Sequence, residues 1–268
     1  MITADAGVLA MHRLVQAVTR TPEPGDPHRS PQATDDARAQ ATRQLAAALP
    51  GWQDPAGWPE WRMLLPHIDA LASHAPPDAD TETTGYLLNQ AGLYLLDQSQ
   101  PARAAGYLQR AAAADARVLG PDHPSTLDSR NNLAAAYYAA GDLGRAISLF
   151  EQALADRQRV LGPDHPSTLD SRNNLALAWQ DAGDLGRAIP LLEQALADRQ
   201  RVLGPDHPDT LGSRNNRAAA YERAGDLGRA IPLFEQALAD FVRVLGEDHP
   251  QTKIVRDNLA AARQQQHQ

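Results

Sequence analysis

Residues 119–160 read LGPDHPSTLDSRNNLAAAYYAAGDLGRAISLFEQALADRQRV, and residues 161–202 repeat them with six substitutions in 42. Residues 203–244 form a third copy that differs from the second at ten positions, and LGEDHP at residues 245–250 opens a fourth. A fixed period of this size marks a solenoid or a propeller, in which each unit buries its apolar face only by stacking on its neighbours.

Each copy divides into two helical stretches. In residues 125–141, Leu133, Ala134 and Tyr137 share one face and Gly141 supplies the stop. In residues 142–162, Ala146, Ile147, Phe150, Ala153, Leu154, Val160 and Leu161 keep the helical period, Asp142 can cap the start and Gly162-Pro163 ends it. These are helices A and B of the unit. Pro190 and Pro232 fall a turn inside their B helices, where the missing N–H predicts a late start or a bend. Strand periodicity has no comparable support.

These residues resemble the tetratricopeptide repeat family, whose pattern is met by Leu133, Ala134, Tyr137, Ala146, Phe150 and Ala153. Arg130 stands where the family often has tryptophan, Ala134 replaces its glycine, and the unit is 42 residues long where the family's is about 34. The LGPDHPxTL joint and the NNLA of helix A resemble the kinesin light chain subtype. The resemblance implies an all-α fold, a right-handed superhelical solenoid of helix-turn-helix repeats whose helix A lines a concave groove. Residues 119–160, 161–202 and 203–244 are then full repeats, and 245–268 a polar capping helix running into QQQHQ. One period earlier, residues 77–118 fit the same template as a degenerate repeat, with Gly92, Leu95, Ala104, Leu108 and Ala111 at the packing positions.

The N-terminal third differs. Residues 22–34 hold four prolines in PEPGDPHRSPQAT and read as a linker; residues 35–49 form an Ala-rich helix inside an atypical helical segment, 35–76. Trp52, Trp58 and Trp61 crowd the approach to an apolar helix at 62–71, where aromatics of this size bury their area against neighbouring helices or else form a binding surface. MHRLVQAVTR (residues 11–20), the proline-rich stretch and WPEWRMLLPHIDAL (residues 58–71) resemble the segment joining the winged-helix end of actinobacterial NB-ARC or STAND-type signalling ATPases to their tetratricopeptide arrays. Residues 1–21 would then be a truncated winged-helix-like unit. The resemblance implies the sensor half of a nucleotide switch, with the ATPase module, which would precede it, as a possible partner.

Composition narrows the function. Net charge is -8, and the 25 basic residues include a single lysine, Lys253, so a basic field for nucleic acid or anionic lipid is not expected. No run of eighteen apolar residues and no signal-peptide pattern are present, which predicts a cytoplasmic protein. Without cysteine there is no disulfide, thiolate metal site or cysteine nucleophile, and no phosphate-loop motif occurs. Neither an enzyme nor a cofactor is expected. The recurring Asp122, His123 and Ser125 have hydrolase residue types, but copies on stacked helices lie about 10 Å apart and cannot converge on one substrate. They read instead as a joint in which Asp and Ser cap a helix, Pro fits its first turn and His fills the space. Gly141-Asp142-Leu143-Gly144 reads as a turn. His67, Asp69 and His74 read as solvated helix residues.

The binding residues are expected where nearly identical repeats disagree. Ala135, Tyr138 and Ala139 become Leu177, Gln180 and Asp181, then Ala219, Glu222 and Arg223, all on one face of helix A. Beside them runs a constant ladder of Asn131, Asn132, Asn173, Asn174, Asn215, Asn216 and Asn258. A carboxamide has donor and acceptor for the main chain of an extended peptide, or for an adjacent repeat. Arg130, Arg172 and Arg214 have acidic ligands or neighbouring Asp as partners, and Arg217 occupies the packing position of Leu133 and Leu175. The expectation is a protein or peptide ligand in the concave groove, clamped by the asparagines and read by the variable residues. A self-assembly module would instead bury the groove, and a peptide-pheromone receptor acting on DNA would need an intact helix-turn-helix that residues 1–21 are too short to supply.

Overall fold

The computed structural model describes Gly25 and residues 30–266, and among these residues the regular structure is eleven α-helices and two short 3-10 turns. The expected winged-helix remnant and most of the proline-rich stretch lie outside the described residues. Contacts divide the chain into two units, residues 1–141 and 142–268.

The first unit contains α1 (Pro31–Ala48), α2 (Trp58–His74), α3 (Glu82–Asp97), α4 (Pro101–Val118) and α5 (Pro124–Ala139). Helix α1 starts at Pro31, inside the stretch read as linker, because Ser30 accepts the Ala33 N–H at 3.2 Å and proline suits the first helical position. Likewise α2 begins at Trp58 and runs past the expected end to His74. Trp61 is fully buried, stacks on Tyr94 of α3 with ring centroids 4.7 Å apart, and donates from Nε1 to the Pro50 carbonyl at 3.2 Å. Trp58 donates to the Trp52 carbonyl, so the tryptophans serve packing. Helices α3 and α4 meet closely at Gly92, where a Cβ would stand 2.5 Å from Leu108. Arg110 of α4 forks onto the buried Asp80 carboxylate at 2.6 and 2.7 Å and fixes the entry to α3. Asp69, expected in solvent, accepts from Arg103 at 2.6 Å and from the Tyr107 hydroxyl.

The second unit contains α6 (Leu143–Val160), α7 (Pro166–Asp181), α8 (Leu185–Val202), α9 (Pro208–Arg223), α10 (Leu227–Leu245) and α11 (Pro250–Gln266). Each helix packs on the next; the A helices α7, α9 and α11 also touch one another, whereas the described residues of the B helices α6, α8 and α10 do not. In this unit the A helices therefore form the inner row and the B helices splay on the outside. Phe234, Tyr221 and Leu259 anchor one core cluster and Phe241, Leu211 and Val255 another.

The joint is built differently from the expectation. In both units the histidine itself is the N-cap: Nδ1 of His123, His165 and His207 accepts the N–H two residues on at 3.2 Å, with proline next in the helix. Thr168 closes the loop from inside, donating to the Gly162 carbonyl at 2.9 Å. Gly183 and Gly225, at φ 81 and 76, make the turn from A to B, where Asp184 and Asp226 accept the Arg187 and Arg229 N–H at 3.0 Å. Pro190 and Pro232 do not delay their helices, which start at Leu185 and Leu227 in the register of α6 at Leu143.

Candidate protein-binding face

The asparagine ladder lies along the A helices and is tied into the array. Asn132 on α5 donates to Asn89 Oδ1 on α3 at 3.0 Å; in the second unit Asn216 donates to Asn173 at 3.2 Å and Asn258 to Asn215 at 3.1 Å. The second asparagine of one repeat thus bonds the first of the repeat before it. Asn174 sits half-buried on α7, and Asn131 half-buried on α5. A carboxamide has two N–H groups and an acceptor oxygen with two lone pairs, so each bond uses part of what the group offers. A ladder devoted wholly to a ligand is nevertheless not what the structure contains.

The variable face is also engaged. Leu177 packs beside the buried Ala176, Leu192 and Ala220, and Gln180 is 8% exposed with a buried Oε1 that has no partner among the described residues. Arg223 on α9 pairs with Asp181 on α7 and reaches the Gln180 carbonyl at 3.4 Å; Glu222 accepts from Gln265 on α11 at 3.0 Å. These positions meet because adjacent A helices place each residue against the one about a repeat away. Tyr138 is half-buried on α5. Arg172 and Arg214 pair with Asp198 and Asp240 of their own B helices.

A cavity of about 540 Å³ opens between the A helices of the first unit, lined by Glu82, Tyr86 and Asn89 of α3, Asp115 of α4 and Asp128 of α5. The period places Tyr86 at the position of Asp128, Asn89 at that of Asn131, and Asp115 at that of Arg157. Burial pushes the Asp115 carboxyl above its ordinary range, Ser129 donating to it at 2.6 Å works against this, and Glu82 adds to the rise. Tyr86 is 51% exposed, an aromatic surface beside a desolvated carboxylate. Sequence reasoning missed this site because residues 77–118 were read only for packing positions, although the alignment that found Gly92 also puts Asn89 in the ladder.

No group of three or more His, Cys, Asp or Glu with metal-binding geometry occurs among the described residues, and no described helix is long and apolar enough to cross a membrane.

Helical hairpins stacked at a constant period, with A helices inside and B helices outside in the second unit, define an α-solenoid scaffold. The tetratricopeptide repeat pattern matches residues 84–125, 126–167 and 168–209, and a related tetratricopeptide pattern matches 213–268. The chain belongs to the tetratricopeptide repeat family. A Podosopora anserina protein of kinesin light chain type with nearly identical TPR-like repeats is 26% identical, with 78% of this chain and 94% of that chain covered and a TM-score of 0.60. BtubC (BKLC) from P. vanneervenii shares the fold at 20% identity, a TM-score of 0.61, and coverage of 93% and 95%. So does a Rap protein solved with Competence and Sporulation Factor, at 9% identity, a TM-score of 0.57, and coverage of 98% and 78%. Among curated proteins, none matches the chain.

Proposed function

We propose that this protein is a non-catalytic scaffold that binds an extended protein segment along its A helices, and that a Lys or Arg side chain of the ligand enters the cavity of the first unit. The observation that carries this is the 540 Å³ cavity, whose lining joins Glu82, Asp115 and Asp128 to Asn89 of the ladder. A cation there meets the Glu82 and Asp115 carboxylates in a partly desolvated setting, where charge pairing is stronger than at an open surface. Asn131, Asn132, Asn173, Asn174, Asn215, Asn216 and Asn258 then hold ligand main chain with the donors left over from their inter-repeat bonds. Tyr138, Leu177, Gln180, Asp181, Glu222 and Arg223 shape the face beside them.

The experiment is a peptide array of twelve-residue segments probed with the native chain, followed by titration of retained peptides against Glu82→Gln and Asp115→Asn. Retained peptides should be enriched in Lys or Arg and lose about tenfold in affinity, about 1.4 kcal/mol, to either variant. Retention without charge preference sinks the cavity reading. At a finer level, the binding event is the sensing input of a STAND-type switch in the cytoplasm, relayed to a nucleotide-switch ATPase module. Support for that lies in residues 11–20 and 58–71, whose resemblance is to the segment preceding such arrays. Ligand-dependent stimulation of a separate ATPase chain in a reconstituted mixture checks it.

A further inference from the structure

Arg217 on α9 stands at the position filled in the preceding repeat by Leu175, which is 5% exposed. It is half-buried, and its Nε is buried without a hydrogen-bond partner among the described residues. A cavity of about 230 Å³ lies over it, lined by Leu196 and Gln200 of α8, Arg214 and Arg217 of α9, and Leu233, Gln236 and Asp240 of α10. One period earlier the same positions hold Leu154, Gln158, Arg172, Leu191, Gln194 and Asp198, identical in type, so Arg217 is the one change. This cavity is on the outer side of the second unit, in the gap between two B helices that do not touch, and is separate from the face assigned to the extended ligand.

Its charge is unbalanced. Asp240 bonds Arg214 and also accepts from Arg243 at 3.1 Å, which leaves no carboxylate on the cavity wall for Arg217. With two guanidinium groups against one carboxylate, the lining carries one excess positive charge in a chain of net charge -8. A guanidinium is planar and offers paired donors matched to a carboxylate, and the Gln200 and Gln236 amides add further donors.

We propose that this cavity binds a carboxylate, in salt-bridge contact with Arg217 and flanked by the Leu196 and Leu233 side chains. The carboxylate comes from a free short-chain acid or from a Glu or Asp side chain of a partner lying across the outer helices. The lining shares no residue with the inner-row cavity, so the proposal is independent of the function proposed above.

The test follows the Arg217 Nε–Hε resonance in the native chain by 15N NMR, assigned by its loss in Arg217→Leu. The probes are glutarate, the capped peptide acetyl-Ala-Glu-Ala-amide and its Gln counterpart, at matched ionic strength. Saturable displacement by glutarate supports the site and gives a free acid as a sufficient occupant. Displacement by the Glu peptide alone supports it and points to a partner's side chain. Either acidic probe should also raise the melting temperature of the native chain and leave Arg217→Leu unmoved; that variant restores the repeat residue and is expected to fold. Absence of saturation with both acidic probes, equal displacement by the Gln peptide, or equal stabilisation of Arg217→Leu overturns the proposal.

Discussion

Arg217 and Asp115 each place a charge where the period holds a different residue, and each leaves a measurable trace on stability. Leu175, one repeat earlier, is buried where Arg217 exposes part of a cavity. Arg217→Leu should therefore stabilise the isolated protein by about 1.5–3 kcal/mol, the range for burying one such apolar side chain, read from urea unfolding. An unchanged or lower stability would mean that Arg217 has packing value the cavity does not reveal. Asp115 is 4% exposed, and burial holds its carboxyl above the ordinary range. For a raised carboxyl, the contribution to stability is fully present below the unfolded value and is lost as pH rises through the folded one. Asp115→Asn removes that loss, so its urea midpoint should gain on the native protein as pH goes from about 4, near the ordinary value, to 7. A gap that stays constant across this interval would show that Asp115 does not titrate in it.

Helices meet across the repeats through positions that change together. Arg199 on α8 pairs with Asp170 and donates to the Ser213 hydroxyl on α9 at 2.8 Å. One period later the three corresponding positions are Phe241, Gly212 and Val255, and Phe241 and Val255 lie in one apolar core cluster. Phe241→Arg alone buries a cation without its carboxylate and should cost about 3–5 kcal/mol. Adding Gly212→Asp and Val255→Ser rebuilds the earlier interface, and a Cβ at Gly212 meets nothing within 4 Å. The triple variant should recover most of that loss; urea unfolding of both decides, and an additive triple variant would deny the coupling. The helices and the A to B turns were legible because their causes are local: apolar period, Gly with positive φ, Asp caps. The ladder's partners were not, because Asn132 finds Asn89 and Arg223 finds Asp181 only when A helices lie side by side. Opposite charges 42 positions apart, Asp181 and Arg223, were the one trace of that contact in the chain itself. His123 escaped as a cap because Asp and Ser beside it are the commoner choice.

Along the second unit, the same bonds recur at two successive joints, so acid should act on more than one interface of the array at once. Arg201 at the end of α8 reaches back to Asp164 in the preceding joint at 2.7 and 2.5 Å, and Arg243 at the end of α10 reaches Asp206 at 2.9 and 2.5 Å. These arginines hold the Asp164 and Asp206 carboxyls below the ordinary range, as Arg145, Arg187 and Arg229 do for the capping Asp142, Asp184 and Asp226. For a lowered carboxyl, the contribution to stability is present above the unfolded value and lost as pH falls through the folded one. Each pair is exposed and individually weak, but protonation removes the joint-to-joint struts and the B-helix caps together. Since a solenoid's stability sums over neighbouring interfaces, circular-dichroism melting temperatures should hold through neutral pH and fall below about pH 4. Asp164→Asn with Asp206→Asn should lower the midpoint at pH 7 and shrink the further drop in acid, because two of the groups that respond are already gone. Moderate salt at pH 7 should narrow the gap between this variant and the native chain, since exposed pairs are screened within about 10 Å at 0.1 M ionic strength. Acid curves that run parallel for the two proteins would place the acid response elsewhere than in these struts.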